Sequence, residues 1–503
     1  MRRLGFGLLT LACAALLYGA VRTWPRTVDD AYITFRYGKN LAQGKGPVFN
    51  PGERVEGNSS PSWMALSAAA VLLNVDPVPV AKGTGVAASL ALILLLFLAL
   101  RRAAVPDVGA GLASLLLGSS MVLQIWAAAG METNAYALAL FAGLVLLALA
   151  EPQPTGAAAA SALLALASLT RPEGLIYWIL GAGVGLLQGS SARARVRWLA
   201  AYAAPGLALA AFFAWRLAYY GAPLPNTYYV KTGGGLALWA QGLTGLRLFA
   251  TAPAHVPWLV AAALGAAAGI REPRTRPAAA VMAGAIALHL VWIVSVGDDG
   301  LRVHRFYPSV LAPMAFLVGL LFRGGPRLAG AGAVAIALSV PLSSMALHRE
   351  ALGPLADSAL AYQEGNERLG RWLRTTRPPG TRVAVPAAGA IPYFSDLPCI
   401  DMYGLNDRHI AHAPFPPGRG RLMKWDNAYV LSRRPALIVI NRGYFRADDP
   451  ALPEVGRRPG LLAASPMDRD LFRRVSASGG YVLRPVSFPD GAVFFVLDRQ
   501  PDR

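Results

Sequence analysis

Charge is scarce in this sequence: 15% of its 503 residues are Asp, Glu, Lys or Arg, against roughly a quarter in a soluble globular chain. Acidic residues are the rarer sign, 28 against 47 Lys and Arg. Cysteine is nearly missing. Cys13 lies in an apolar run and Cys399 in a polar region, so no disulfide framework is expected and no redox compartment can be read. No zinc-ligand spacing, P-loop or nucleophile elbow occurs, and the Gly233-Gly234-Gly235 triplet is too isolated to cradle a phosphate. The formal charge of +19 raises the question of nucleic acid, but no basic stretch is interleaved with stacking aromatics. The arginines sit in short loops between apolar runs or scatter through the C-terminal part, so nucleic acid is not expected as a partner. No internal repeat or low-complexity linker stands out.

What the chain does have is apolar length. Hydrophobic residues make up 55% and the mean hydropathy is +0.42. Charges are sparse up to about residue 347 and common afterwards. The fold class expected is a polytopic α-helical membrane protein, residues 1–346, followed by a water-soluble α/β domain, residues 347–503. A span needs roughly 20 apolar residues. Eleven ranges approach that: 4–22, 80–100, 105–126, 131–149, 157–170, 173–188, 198–219, 254–270, 278–296, 305–322 and 328–346. Residues 61–73 are too few to span and suit a helix lying at the interface. Met1-Arg2-Arg3 before an apolar run resembles a signal peptide. The span length of that run, with no small-x-small site before Trp24, predicts an uncleaved first span instead.

Arginine placement gives an orientation. With a cytoplasmic N-terminus, the inner loops carry Arg2-Arg3, Arg101-Arg102, Arg193/Arg195/Arg197, Arg271/Arg274/Arg276 and Arg323/Arg327. The C-terminal domain then lies outside the plasma membrane. The carboxylates Asp29-Asp30, Glu132, Glu173 and Asp298-Asp299 all fall at outer span ends or in outer loops of the topology that hydropathy and arginine placement give. Acidic groups beside a membrane are costly without partners or work, so an outward-facing polar site is expected. After residue 351, short β-branched runs at 382–385, 436–440, 481–483 and 492–497 alternate with turn signals such as Pro489-Asp490-Gly491.

Three outer stretches carry the chemistry. In TVDDAYITFRY, residues 31–43 suit a short interfacial helix ended by Gly44, with one aspartate as its N-cap. Adjacent residues point about 100° apart on a helix, so one can cap while the other faces a cavity. The second stretch runs from Arg216 through Tyr219-Tyr220-Gly221 to Pro225-Asn226-Thr227-Tyr228-Tyr229-Val230-Lys231, where Asn226, Tyr229 and Lys231 are candidates to grip a sugar and a phosphate. An aromatic belt with ordinary turn chemistry explains the same residues. The third, Gly297-Asp298-Asp299-Gly300-Leu301-Arg302-Val303-His304-Arg305, offers Arg302 and Arg305 to a lipid phosphate. Arg171 and Glu173 flank Pro172 at a tight turn and are placed to pair with each other; His289, in mid-span, reads as an interhelical hydrogen-bonder.

Taken in order, DDAYITFRYGKNLAQGKGPVFNPGERVEGNSSPSW, YYGAPLPNTYYVK, GDDGLRVHRFYPSVLAP and DMYGLNDRHIAH resemble the membrane glycosyltransferases of the GT-C class, and among them the mycobacterial terminal arabinofuranosyltransferases. The resemblance implies a polyprenyl-phosphate sugar donor used on the outer face, and an acidic catalytic base in the first outer loop. On this sequence the base is Asp29 or Asp30, with Asp29 preferred. The sugar is not carried over. A divalent cation, Mg or Mn, is an open requirement. A leaving polyprenyl phosphate needs positioned cations, and Lys231, Arg302, His304 and Arg305 are the candidates. Asp30, Asn226, Tyr229, Asp298 and Asp299, then Glu132 and Arg171, are the residues expected around sugar and acceptor. The acceptor expected is a cell-envelope glycan, lipid or protein, with the choice among them left open. The rival reading is a transporter or flippase of a lipid-linked sugar, but such proteins place polar groups near the bilayer midplane, whereas these spans are charged almost only at their outer ends.

Overall fold

The computed structural model describes the chain apart from residues 1, 150–152, 189–190, 233–234, 298–302, 352, 416–423 and 502–503. Among the described residues, five helices are each long and apolar enough to cross a bilayer: Arg2–Thr23, Pro77–Arg102, Ala192–Tyr220, Arg276–Val296 and Pro326–Ala351. Two broken pairs bring the total to seven, Asp107–Gly118 with Met121–Ala127, bent by 61°, and Leu236–Thr251 with Val256–Arg271, bent by 92°. The chain is a multi-pass membrane protein. Four ranges expected as spans, at 131–149, 157–170, 173–188 and 305–322, are shorter apolar helices. Two expectations change in detail. The run at 105–126 is interrupted at Ser119-Ser120, and the helix near 254–270 is half of a bent pair whose other half the hydropathy reading passed over.

The first bend is built from polar side chains. A break in a helix frees backbone groups that lipid cannot satisfy. Here the Gln124 amide donates to the Gly118 carbonyl at 2.9 Å and to the Ala15 carbonyl at 3.0 Å, while Ser343 Oγ accepts from the Met121 N–H at 2.7 Å. The helix Arg2–Thr23 lies close against Asp107–Gly118, because Gly5, Gly111 and Gly118 lack the Cβ that would strike the facing backbone. Small residues permit such contact between helices in lipid.

Outside these helices the chain forms two pieces that belong together. The first follows the first span: the helix Asp29–Ala42, an irregular loop, and the short helix Pro61–Leu72. The second follows Pro326–Ala351: the helix Pro354–Thr376 and a five-stranded sheet. Its strands are β1 (Val383–Val385), β2 (Cys399–Asp401), β3 (Leu437–Phe445), β4 (Tyr481–Ser487) and β5 (Val493–Arg499), in the order β2-β1-β3-β5-β4. β1 is parallel to β2 and β3, while β5 is antiparallel to both β3 and β4. Alternating side chains sort onto two faces. Val383, Val385, Leu437, Val439 and Val496 pack with Leu369 and Leu373; Ala384, Ile438, Ile440 and Leu497 pack with Met467 and Leu471.

The first of those faces does not stop at the sheet. Ile33, Tyr37, Phe49 and Met64, from the segment after the first span, complete the same apolar core. Polar contacts follow the apolar ones. Arg36 is buried, and its guanidinium donates to the carbonyls of Phe49 (2.7 Å), Leu397 (2.8 Å) and Pro392 and to Asn50 Oδ1 (3.3 Å). Asn50 in turn exchanges hydrogen bonds with the backbone of Cys399, and Tyr37 Oη donates to Val55 and meets Asn406. Removing Arg36 strands several buried carbonyls, each lost bond to a charged donor costing roughly 1.5–3 kcal/mol. Arg36→Met is therefore expected to lower the thermal midpoint sharply in detergent and open the seam to limited proteolysis. Arg36→Lys should restore little, because an ammonium cannot reach four acceptors spread about a plane.

Candidate active site

Asp29 and Asp30 open the helix Asp29–Ala42, and neither is its N-cap. That position belongs to Val28, with no side-chain cap, so the expectation that one aspartate caps the helix is corrected. Val28 is held from its own amide by the Ala129 carbonyl at 3.1 Å. The capping role fails because both carboxylates have partners elsewhere. Asp29 Oδ2 accepts from the Gly389 N–H (3.0 Å), and Oδ1 accepts from the Ala390 N–H (3.1 Å) and the Asn366 amide (3.3 Å). Burial pushes the Asp29 carboxyl up to about 6, with Asp30 adding to it and the three hydrogen bonds opposing it.

Asp30 points the other way. Its Oδ2 lies 3.2 Å from Arg305 Nη1, and the pair begins a chain of charges. Arg305 Nη2 is 3.8 Å from Glu132 Oε1; Glu132 Oε1 is 2.8 Å from Arg171 Nη1; Arg171 Nε is 2.5 Å from Glu173 Oε1. Side-chain exposure falls along it, from 39% at Asp30 to 10% at Arg305 and 3% at Glu173. Only the Asp30 end meets solvent. The expected Arg171–Glu173 pair is present, and Glu132, which the sequence did not link to either, bridges Arg171 to Arg305. The Arg171 guanidinium also stacks over Phe306 at 5.2 Å.

Arg305 is aimed by a strained turn. Val303 and His304 adopt left-handed φ values of 70° and 56°, a costly conformation for a β-branched residue. The Val303 carbonyl accepts from Trp126 Nε1 at 2.9 Å, and His304 is enclosed by Phe249, His255 and Tyr307. Burial lowers the His304 imidazole to about 4, so at neutral pH it is an uncharged ring and not the cation expected for a phosphate. His289 meets the interhelical expectation, touching Tyr177 Oη and the Phe306 carbonyl at 2.8 Å each. Asp298, Asp299 and Arg302 lie outside the described residues.

The second stretch serves the seam. Asn226 is buried, and its amide donates to the carbonyls of Gly404 (2.8 Å), Leu405 (3.1 Å) and Asp407 (3.2 Å). It is engaged with the DMYGLND loop, so it does not present its amide to a sugar as expected. Asp401 organises that loop from within, accepting from the N–H groups of Tyr403, Gly404 and Asn406. Tyr229 packs its ring on His412 at 4.5 Å, and Lys231 closes the same six-residue helix, half-buried. Glu56, which no motif singled out, pairs with Arg216 at 2.7 Å. A cavity of about 160 Å³ lies beside this loop, walled by Asn50, Glu53, Asp407, Arg408, His409 and Tyr429, and does not include Asp29 or Asp30. Among the described residues, no three of His, Cys, Asp and Glu converge as a metal site.

Solved structures place this architecture in a class. The chain shares its fold with ArnT from Cupriavidus metallidurans bound to undecaprenyl phosphate, with a TM-score of 0.55 and 13% identity over 97% of each chain. It also matches the oligosaccharyltransferase AglB from Archaeoglobus fulgidus, solved with an inhibitory peptide and a dolichol-phosphate, at a TM-score of 0.52 and 12% identity over 98% of this chain and 74% of that one. Both are GT-C glycosyltransferases, and the fold of the present chain is theirs. In sequence it is similar to the terminal β-(1→2)-arabinofuranosyltransferase of Mycobacterium tuberculosis, 29% identical over 62% of this chain and 49% of the relative. A second similarity is to the enzyme of that name from Corynebacterium glutamicum, 43% identical over 63 residues, covering 12% of this chain and 9% of the relative. The aligned region thus spans about half the length of the first relative. Residues 357–482 match a domain of unknown function (DUF8728).

The charge chain sets a clear expectation. Arg171→Met leaves Glu132 and Glu173 buried and facing each other, a loss of about 3–5 kcal/mol. Thermal unfolding should show it, and adding Glu132→Gln with Glu173→Gln should recover a large part by removing the stranded charges.

Proposed function

We propose that the protein transfers a sugar from a polyprenyl-phosphate donor to a hydroxyl of a cell-envelope glycan, lipid or protein, on the outer face of the membrane. The single observation that carries this reading is the pairing at positions 29 and 30: an ionisable carboxylate in a fixed orientation beside a carboxylate tethered to a buried arginine. The similarity to arabinofuranosyltransferases and the fold shared with lipid-phosphate-bound ArnT and AglB support it. The reading takes the N-terminus as cytoplasmic, the eleven apolar ranges as spans, and residues 347–503 as an extracytoplasmic domain over the membrane domain 1–346.

In this scheme the acceptor oxygen attacks the anomeric carbon as the bond from that carbon to the phosphate oxygen breaks. The polyprenyl phosphate leaves with the bonding pair, and the configuration inverts. Asp29 accepts the hydroxyl proton. Arg305 faces the leaving phosphate, with Lys231 and Arg302 as further cations. Asp30 holds Arg305 at the solvent end of the charge chain, Glu132 backs Arg305 from within, and Tyr229 and Asp299 are assigned to the sugar and acceptor.

The test is release of free polyprenyl phosphate from a panel of polyprenyl-phosphate sugars, arabinofuranose first, by purified protein with envelope extract. Asp29→Asn should lower the rate about a hundred- to ten-thousand-fold, while Asp30→Asn keeps part of it. The wild-type rate should fall on the acid side with a midpoint near 6, since a protonated Asp29 cannot take the hydroxyl proton. Full activity in both variants would overturn the assignment. Donor bound but left intact would favour a transporter. EDTA followed by Mg or Mn reads any need for a divalent cation.

A further inference from the structure

Among the described residues, the hydrogen bonds donated to the Asp29 carboxylate come from the segment that follows the last long helix. The Asn366 amide comes from the helix Pro354–Thr376, and the Gly389 and Ala390 amides come from the turn entering the helix Ala390–Ser395. We propose that Asn366, with the two backbone amides at 389 and 390, is the device that aims the Asp29 carboxylate, so that the active site is completed by the C-terminal segment. The proposal rests on the reading of Asp29 as proton acceptor.

A carboxylate offers about four lone-pair positions. Oδ1 receives two donors and Oδ2 one. Among the described residues the position left open is on Oδ2, which makes Oδ2 the oxygen assigned to take the proton. Asn366 is itself fixed, being 2% exposed and hydrogen-bonded to Tyr362 from the same helix. Gly389 has to be glycine for the approach, since a Cβ there would run into the Asp29 carbonyl. The other groups facing Asp29 are few. Asp30 and Tyr32 lie on its own helix and Tyr362 on the Pro354–Thr376 helix, while the turn at 389–390 brings backbone amides. Arg305 lies beyond Asp30. Asn366 is thus a positioning residue that favours the ionised form, and losing it makes Asp29 easier to protonate.

The experiment is a pH–rate profile of polyprenyl phosphate release from polyprenyl-phosphate arabinofuranose by the purified protein, with envelope extract as the acceptor source. It compares wild type, Asn366→Leu and Asn366→Asp, each checked for its thermal midpoint. Asn366→Leu removes the donor while keeping the branched outline of the side chain, with methyl groups bulkier than the amide. It should move the acid limb up by about half a unit to one unit and lower kcat about tenfold, with the donor KM unchanged. Asn366→Asp keeps the shape, adds repulsion, and should move the limb further; it reads the same quantity if the leucine variant does not fold. Asn366→Gln should return the limb part of the way. An unmoved limb with a rate lowered equally at every pH would show Asn366 to be structural only, overturning the proposal while leaving Asp29 as base. An Asp29→Asn variant as active as wild type would overturn the base assignment and this proposal together.

Discussion

Among the described residues, a buried guanidinium with no carboxylate at ion-pair distance joins the segment after the first long helix to the sheet that follows the last. The hydrogen bonds of Arg36 among the described residues go to carbonyl and amide oxygens, with Asp396 adding a longer-range attraction, and the acceptors come from two stretches of chain far apart in sequence, around Phe49 and around Pro392 and Leu397. Such a charge is tolerable only when all its acceptors are in place at once. Neither stretch can satisfy it alone. The segment after the first span and the sheet that follows the last long helix therefore form one folded unit, and the apolar core shared by Ile33, Tyr37, Val385 and Val439 says the same in hydrophobic terms.

That seam sets the electrostatics of the site beside it. Two adjacent carboxylates would repel if both faced the same low-dielectric space. The helix turns them apart, so that Asp29 is held by uncharged donors and Asp30 by Arg305. From Asp30 inward, signs alternate through Arg305, Glu132 and Arg171 to Glu173, each charge offset by its neighbours. The result is a rigid buried row with one exposed end. The left-handed Val303 and His304 belong to the same construction, because they turn the chain sharply just before Arg305.

Part of this was legible in the residues. Hydropathy located the long helices, and β-branched runs located β1, β3, β4 and β5. Strand β2 lacks that signal, because Cys399-Ile400-Asp401 holds a single β-branched residue between a cysteine and an aspartate, whereas the equally short β1 lies in the run Val383-Ala384-Val385. The bends at 119–120 and 252–255 were missed because their carbonyls are satisfied by side chains or by neighbouring backbone, and nothing apolar is lost from the count. In the site, Asp29, Asp30, Arg171, Glu173 and Arg305 carry their chemistry openly. Asn366, Gly389 and Glu56 do not. Each is an ordinary residue locally, and its role exists only through a partner more than a hundred positions away. Asn226 shows the reverse error: a residue that looks like a ligand-binder is consumed by three backbone carbonyls.

The sequence separation between Asp29 and its partners, 337 residues to Asn366 and 361 to Ala390, bears on how the protein is made. A ribosome emits the aspartates well before their donors, and the described long helices from Pro77–Arg102 to Pro326–Ala351 are synthesised in between. Until then Asp29 has no fixed orientation and Arg36 no complete set of acceptors. A nascent or truncated chain already inserted in the bilayer thus carries the Asp29 carboxylate without its three donors, which arrive only when the C-terminal segment docks on the helix Asp29–Ala42.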